Sequence, residues 1–199
     1  MSAWIRMIPL EEATGTLAEA YKKVTTPHGT VDNVMKAHSL RPHTMEGHVA
    51  LYRSVLHTPD NTLPFWFLEV IASYTSSLNK CLYSFTHHFT NARRLIRDKA
   101  RSDLILAAMD ARAPEQAFEG KELALLRYAG KLTTDVGRME KADVDALHAA
   151  GCNDGEILEV NQVCAYFNYS NRLLNGLGVT TEGDVIGYYT EDESEGSTS

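Results

Sequence analysis

The chain has 199 residues, 44% of them hydrophobic and 23% charged, with a formal net charge of −7 at pH 7. A chain of about 150–200 residues buries roughly 70% of the surface it exposes when unfolded, so folding here requires neither a disulfide framework nor a structural metal. The acidic balance excludes the basic footprint of a nucleic-acid-binding protein, and three cysteines without paired spacing, Cys81, Cys152 and Cys164, exclude a secreted disulfide scaffold.

The opening residues, Met1 to Leu10, contain Arg6 and Pro9 and lack the apolar run and small-residue cleavage site of a secretory leader. No stretch reaches the length of a membrane span. The expectation is a cytoplasmic protein with no membrane partner.

Leu17, Tyr21 and Val24 recur at i, i+4 and i+7, and Val49, Tyr52 and Leu56 keep nearly the same beat, so both segments predict amphipathic helices. Thr26-Pro27-His28-Gly29 breaks the chain between them, and Pro42 ends or bends whatever precedes it. Pro64 suits the first turn of a helix carrying Phe65, Leu68, Ile71 and Ala72. Ser76-Ser77-Leu78-Asn79 then predicts an interruption, with a new helix capped at Ser77 or Asn79.

That new helix runs through Phe85, Phe89, Ala92 and Ile96 into Arg93, Arg94, Arg97, Lys99 and Arg101, a basic group expected at one helix end, where the macrodipole favours cations. Shorter helices are predicted around Leu104 to Ala111 and Glu122 to Leu132, and from Asp143 to Ala150 with a stop at Gly151. Asn153 and Glu156 mark a capping box that opens a last helix carrying Ile157, Val160, Cys164, Phe167 and Leu174 until Gly176. No run of strict alternation marks a sheet. The expected organisation is one all-α domain over 1–180 and an acidic, flexible tail over 181–199.

The chemistry is concentrated between Glu69 and His88. On one helix Cys81, Ser84 and His88 stand at i, i+3 and i+7, so they project to one side, with Ser84 and His88 within hydrogen-bonding reach. A cap at Ser77 or Asn79 would put Cys81 in the first turns, where the positive end of the macrodipole lowers a thiol pKa. Glu69, on the preceding helix, is placed to relay a proton or orient a partner.

Glu69, Ser76, Asn79, Cys81, Tyr83, His87 and His88 together resemble the signature of the carboxymuconolactone decarboxylase superfamily, and within it the alkylhydroperoxidase-D-like (AhpD-like), peroxidase-related proteins. Ala165 to Arg172, running into Gly176-Leu177-Gly178-Val179, resembles that group's C-terminal helix, so the likeness spans roughly residues 4 to 180.

The resemblance implies an all-α, multi-helical AhpD-like bundle that assembles as a homo-oligomer, a dimer, trimer or hexamer. It also implies thiol-based reduction of alkyl hydroperoxides, recycled by an external thiol reductant and needing no cofactor. The catalytic residues it points to are Glu69, Cys81, Ser84 and His88. Ser84 departs from the pattern, because the family carries there the cysteine that attacks peroxide, and a serine hydroxyl is not oxidised by peroxide. Three explanations stand side by side: an engineered isosteric change, Cys81 working alone with an outside thiol, or a lineage in which Ser84 and His88 serve proton transfer in a lyase or decarboxylase. A non-catalytic oligomeric homologue is a further alternative.

Other features have plainer explanations. Cys152 and Cys164 are expected as small buried hydrophobes, and Phe65, Trp66, Phe67, Phe85 and Phe89 as core or interface filling. Of the adjacent His87 and His88 only one is expected to face a pocket, and His88 is the choice. His38, His43, His48 and His57 are expected to be solvated, since none forms a His-x3-His pair on a single helix face. No metal is expected. If one binds, the better set is Glu69, Cys81 and His88.

Overall fold

A computed structural model describes residues 2–188. Among them nine α-helices follow one another in the chain: α1 Gly15–Val24, α2 Asn33–Lys36, α3 Pro42–Leu56, α4 Phe65–Leu78, α5 Leu82–Ile96, α6 Lys99–Asp110, α7 Gly120–Thr134, α8 Lys141–Ala149 and α9 Asp154–Leu177. No strand occurs among the described residues, so the predicted all-α class holds.

Helix α4 is the centre of the bundle, and every residue from Phe67 to Ser76 is buried. A helix apolar nearly all round must be covered on all sides, and α5, α7 and α9 supply that cover. The main core joins Phe67, Ile71, Leu125, Val160 and Phe167. A second apolar group ties α1 to α3 through Leu17, Tyr21, Met35 and Met45. A third, small one holds Ala3, Ala37, Cys81, Leu174 and Val179.

The turn between α4 and α5 differs from the sequence expectation. Ser76 and Ser77 stay helical, and the chain turns only over Asn79, Lys80 and Cys81. Cys81 N–H bonds back to Ser76 O at 2.9 Å and Lys80 N–H to Ser77 O at 2.9 Å, with Lys80 left-handed at φ 55°. This is a Schellman closure, which a C-terminal residue in the left-handed region permits. The predicted capping role of Ser77 is not realised, because Ser76 and Ser77 lie inside α4 rather than ahead of α5.

Two further boundaries move. The basic residues straddle two helices, since α5 ends at Ile96, Arg97 turns left-handed, and Asp98 caps α6 by accepting from Arg101 N–H. Helix α9 opens on the predicted capping box but runs past Gly176 to a left-handed C-cap at Gly178. A side chain at Gly178 would run into the Trp4 ring, so close packing as well as backbone conformation calls for glycine there.

The expected tail from residue 181 is tied down over its described part. Asp184 accepts from Asn33 N–H at 3.0 Å, and Tyr188 N–H donates to Asn91 Oδ1 at 2.7 Å. Gly187 (φ 85°) lets this strap lie close to Asn91 and Arg94, where a Cβ would collide. Residues 189–199 of the expected tail lie outside the described residues.

Candidate functional site

The α4–α5 hairpin brings Glu69 face to face with His88. Glu69 has no solvent exposure; its Oε2 lies 2.7 Å from His88 Nδ1 and its Oε1 accepts from Asn91 Nδ2 at 3.1 Å. A buried carboxylate is tolerable only when its lone pairs are served, and α5 serves them from positions 88 and 91, about one helical turn apart. With Nδ1–H donated to the carboxylate, the basic lone pair of His88 sits on Nε2. The ring is held edge-on to Phe167 at 4.5 Å.

His88 lines a cleft that opens to solvent and has a cavity volume of about 100 Å³, room for a small molecule only. Ser84, Asn91, Tyr52, His48 and Tyr166 line it as well. Ser84 Oγ pairs with Ser76 Oγ at 3.0 Å, and Ser76 in turn accepts from Asn171 Nδ2 at 3.2 Å. The expected Ser84–His88 hydrogen bond is therefore replaced by a Ser84–Ser76 contact, while both residues face the same space. Tyr166 OH and His48 Nε2 are 2.9 Å apart, and burial pushes the His48 imidazole down to about 3.

Cys81 does not share this cleft. It is the residue just before α5, 1% exposed, and packs in a small apolar cluster with Ala3, Ala37, Leu174 and Val179, of which Leu174 also borders the cleft. Burial pushes its thiol up; the Ser84 backbone N–H opposes this in part, and neither His88 nor Glu69 acts on it. The cause lies in the turn: because α5 begins at Leu82, the i, i+3, i+7 spacing from 81 does not run along a single helix. Glu69, Ser84 and His88 are thus brought together and Cys81 is left out. For the same reason Glu69, Cys81 and His88 do not form a metal set, and among the described residues no group of three or more His, Cys, Asp or Glu side chains is disposed to hold a metal ion.

Three histidines depart from expectation, while His43 is exposed as expected. His87 lines the cleft beside His88, its ring stacked on Tyr83 at 4.8 Å; both members of the pair border the cavity because it takes in a broad face of α5 that includes Tyr83, Ser84 and Asn91. His38 and His48 are buried at 5% and 2% exposure, not solvated. Cys152 and Cys164 are buried as expected. Of the five phenylalanine and tryptophan residues expected to fill the core or an interface, Phe67 and Phe89 are in the core while Phe65 is 36% exposed.

Asn91 escaped the sequence reading, although its place three residues after His88 put a carboxamide on the same helix face. Tyr52, Tyr166 and Asp32 carry no local signal, since only the tertiary fold brings α3, α9 and the loop before α2 to α5.

No protein-family model matches the chain, and no curated protein matches it. Solved structures do. A peroxidase-related protein from Ralstonia eutropha, described as an alkylhydroperoxidase AhpD core, superposes with a TM-score of 0.79 at 21% identity, covering 92% of this chain and 94% of that one. A peroxidase-related protein from a Silicibacter species gives a TM-score of 0.76 at 23% identity over 92% and 93% of the two chains. The debrominase Bmp8, as a cysteine-to-alanine variant in complex with 2,3,4-tribromopyrrole, gives 0.69 at 17% identity over 89% and 90%. The chain has the fold of the alkylhydroperoxidase-D core.

Proposed function

We propose that the protein is an acid–base enzyme in which His88, oriented and charge-balanced by Glu69, moves a proton on a small ring-bearing substrate held in the aromatic cleft. One observation carries this: the 2.7 Å Glu69–His88 contact faces a cavity that Ser84 lines and Cys81 does not. Nε2 takes the proton of an acidic C–H bond, and the bonding electron pair passes to an adjacent carbonyl of the substrate or to a departing group. Buried Glu69 stabilises the imidazolium that results, and the hydrogen bond from Asn91 keeps the carboxylate in register. The reaction class is proton abstraction, as in a lyase, decarboxylase or isomerase. The complex of debrominase Bmp8 with tribromopyrrole supports a small ring as a ligand suited to this fold.

A second function, hydroperoxide reduction by Cys81 alone with recycling by an external thiol, is favoured by the fold likeness to peroxidase-related proteins. It requires the packing over Cys81 to open before peroxide reaches the sulfur.

The test is deuterium uptake from D2O into a panel of small cyclic ketones and lactones, followed by mass spectrometry. His88→Gln and Glu69→Gln are expected to lower exchange by about 10²–10⁴-fold, the usual worth of a positioned general base. Cys81→Ala is expected to retain it. Exchange that survives in His88→Gln and vanishes in Cys81→Ala would reject the assignment.

A further inference from the structure

Beside His88, the cleft has a second polar end that the proton-transfer chemistry does not use. Asp32, Tyr83 and His87 line it. Tyr83 OH donates to Asp184 Oδ2 at 2.6 Å and accepts from Val34 N–H at 3.1 Å. Asp184 also takes Asn33 N–H at 3.0 Å. With its oxygens so occupied, Asp184 stands 3.7 Å from His87 Nε2, too far to bond it.

Of the buried atoms without a hydrogen-bond partner among the described residues, two belong to this end of the cleft, Asp32 Oδ1 and His87 Nε2. His87 is only 7% exposed. Gly187 N–H points at His87 Nδ1 at 3.4 Å, so the neutral ring carries its proton on Nε2. One orphan is therefore an acceptor and the other a donor, and they do not bond each other. Burial pushes the Asp32 carboxyl up, the neighbouring His87 opposes this in part, and Asp184 adds to the rise. Polar groups buried in this way are ordinarily hydrogen-bonded in proteins.

The complementary ligand group both donates and accepts one hydrogen bond at a single small atom. An anion would meet two carboxylates, and an ammonium would face the Nε2–H with another donor. A hydroxyl satisfies both orphans at once. We infer that the Asp32–His87 end of the cleft binds a hydroxyl group of the substrate, an alcohol or phenol whose O–H donates to Asp32 and whose oxygen accepts from His87. This deepens the function proposed above, since it rests on the cleft being the substrate site, and it assigns the substrate class as a small hydroxylated ring compound.

The experiment is calorimetric titration of the full chain with phenol and with fluorobenzene, which has nearly the same shape but no O–H. The unmodified protein is expected to prefer phenol by tenfold or more, because a site built to bond a hydroxyl rejects the analogue that leaves its groups unpaired. Asp32→Leu and His87→Phe are each expected to cut the preference to about twofold. Asp32 makes no side-chain cap bond to α2, so its replacement leaves that helix start intact.

Equal affinity for the two probes, or no binding of either, overturns the inference. So does a preference unchanged in both folded variants, which would show the orphans served by water only. Should the variants fail to fold, the ¹⁵N resonance of His87 Nε2 in the unmodified protein decides: phenol is expected to shift it, and no shift refutes the contact. A phenol preference that holds while deuterium exchange fails sinks the role of His88 as base but leaves the hydroxyl pocket standing.

Discussion

A carboxylate with no solvent exposure, set mid-helix among Leu68, Val70 and Ile71, is the most costly residue in the site to place. Glu69 persists because His88 and Asn91 serve both of its oxygens. His48 illustrates a different cost. Its imidazole is buried neutral with its pKa near 3, whereas the unfolded chain protonates below about 6.5.

The unfolded state therefore binds the extra proton first, and stability drains as pH falls from about 6.5 toward about 3. His38 and His57 are pushed down by burial too, so they act in the same direction. In urea titrations at pH 7 and pH 5, His48→Gln is expected to recover on the order of 2 kcal/mol of the stability the unmodified protein loses between those two pH values. An identical acid loss in the variant would show that His48 is not the buried neutral group described.

At the scale of elements, the α4–α5 hairpin decides which side chains meet. Its hinge is Lys80, a non-glycine residue held at φ 55°. Left-handed backbone costs an L-residue with a side chain about 1 kcal/mol relative to glycine, so Lys80→Gly is expected to raise stability by roughly 0.5–1 kcal/mol in the same urea assay. A loss of stability would mean that the lysine side chain contributes more than its backbone strain costs.

The same hinge explains what the sequence could and could not reveal. Apart from the short α2, which lies in the stretch expected as a loop, the helices, their order and the capping box at Asn153 were legible, because periodicity and caps are local signals. Ser76 and Ser77 misled, because capping residues also serve as buried donors and acceptors, and here Ser76 bonds Ala72 O and Ser84. A shift of the helix start to Leu82 then took Cys81 off the face that holds Ser84 and His88. Glu69 and His88 were found because they lie on adjacent helices close in sequence. Asp32, Tyr52 and Tyr166 were not, because their place in the cleft depends on contacts between distant parts of the chain.

For the whole molecule, the bundle sets two adjoining environments beside α5, with Tyr83 and Leu174 bordering both. One is a cleft with an oriented imidazole, a hydroxyl and unpaired polar atoms; the other is an apolar cluster that encloses Cys81. No helix among the described residues is long and apolar enough to cross a membrane. The C-terminal strap, held by Asn33 and Asn91, covers part of the cleft and links its Asp184 end to the Glu69 network through Asn91.

The division between cleft and cluster is tested most directly by peroxide. Folded protein treated with excess cumene hydroperoxide, trapped with dimedone and analysed by mass spectrometry, is expected to keep Cys81 as an unmodified thiol, while Ser84→Cys acquires an adduct at the new thiol within the cleft. Rapid sulfenic acid formation on Cys81 in the unmodified protein would contradict the account, since it would place the reactive sulfur where the structure puts a serine and a histidine.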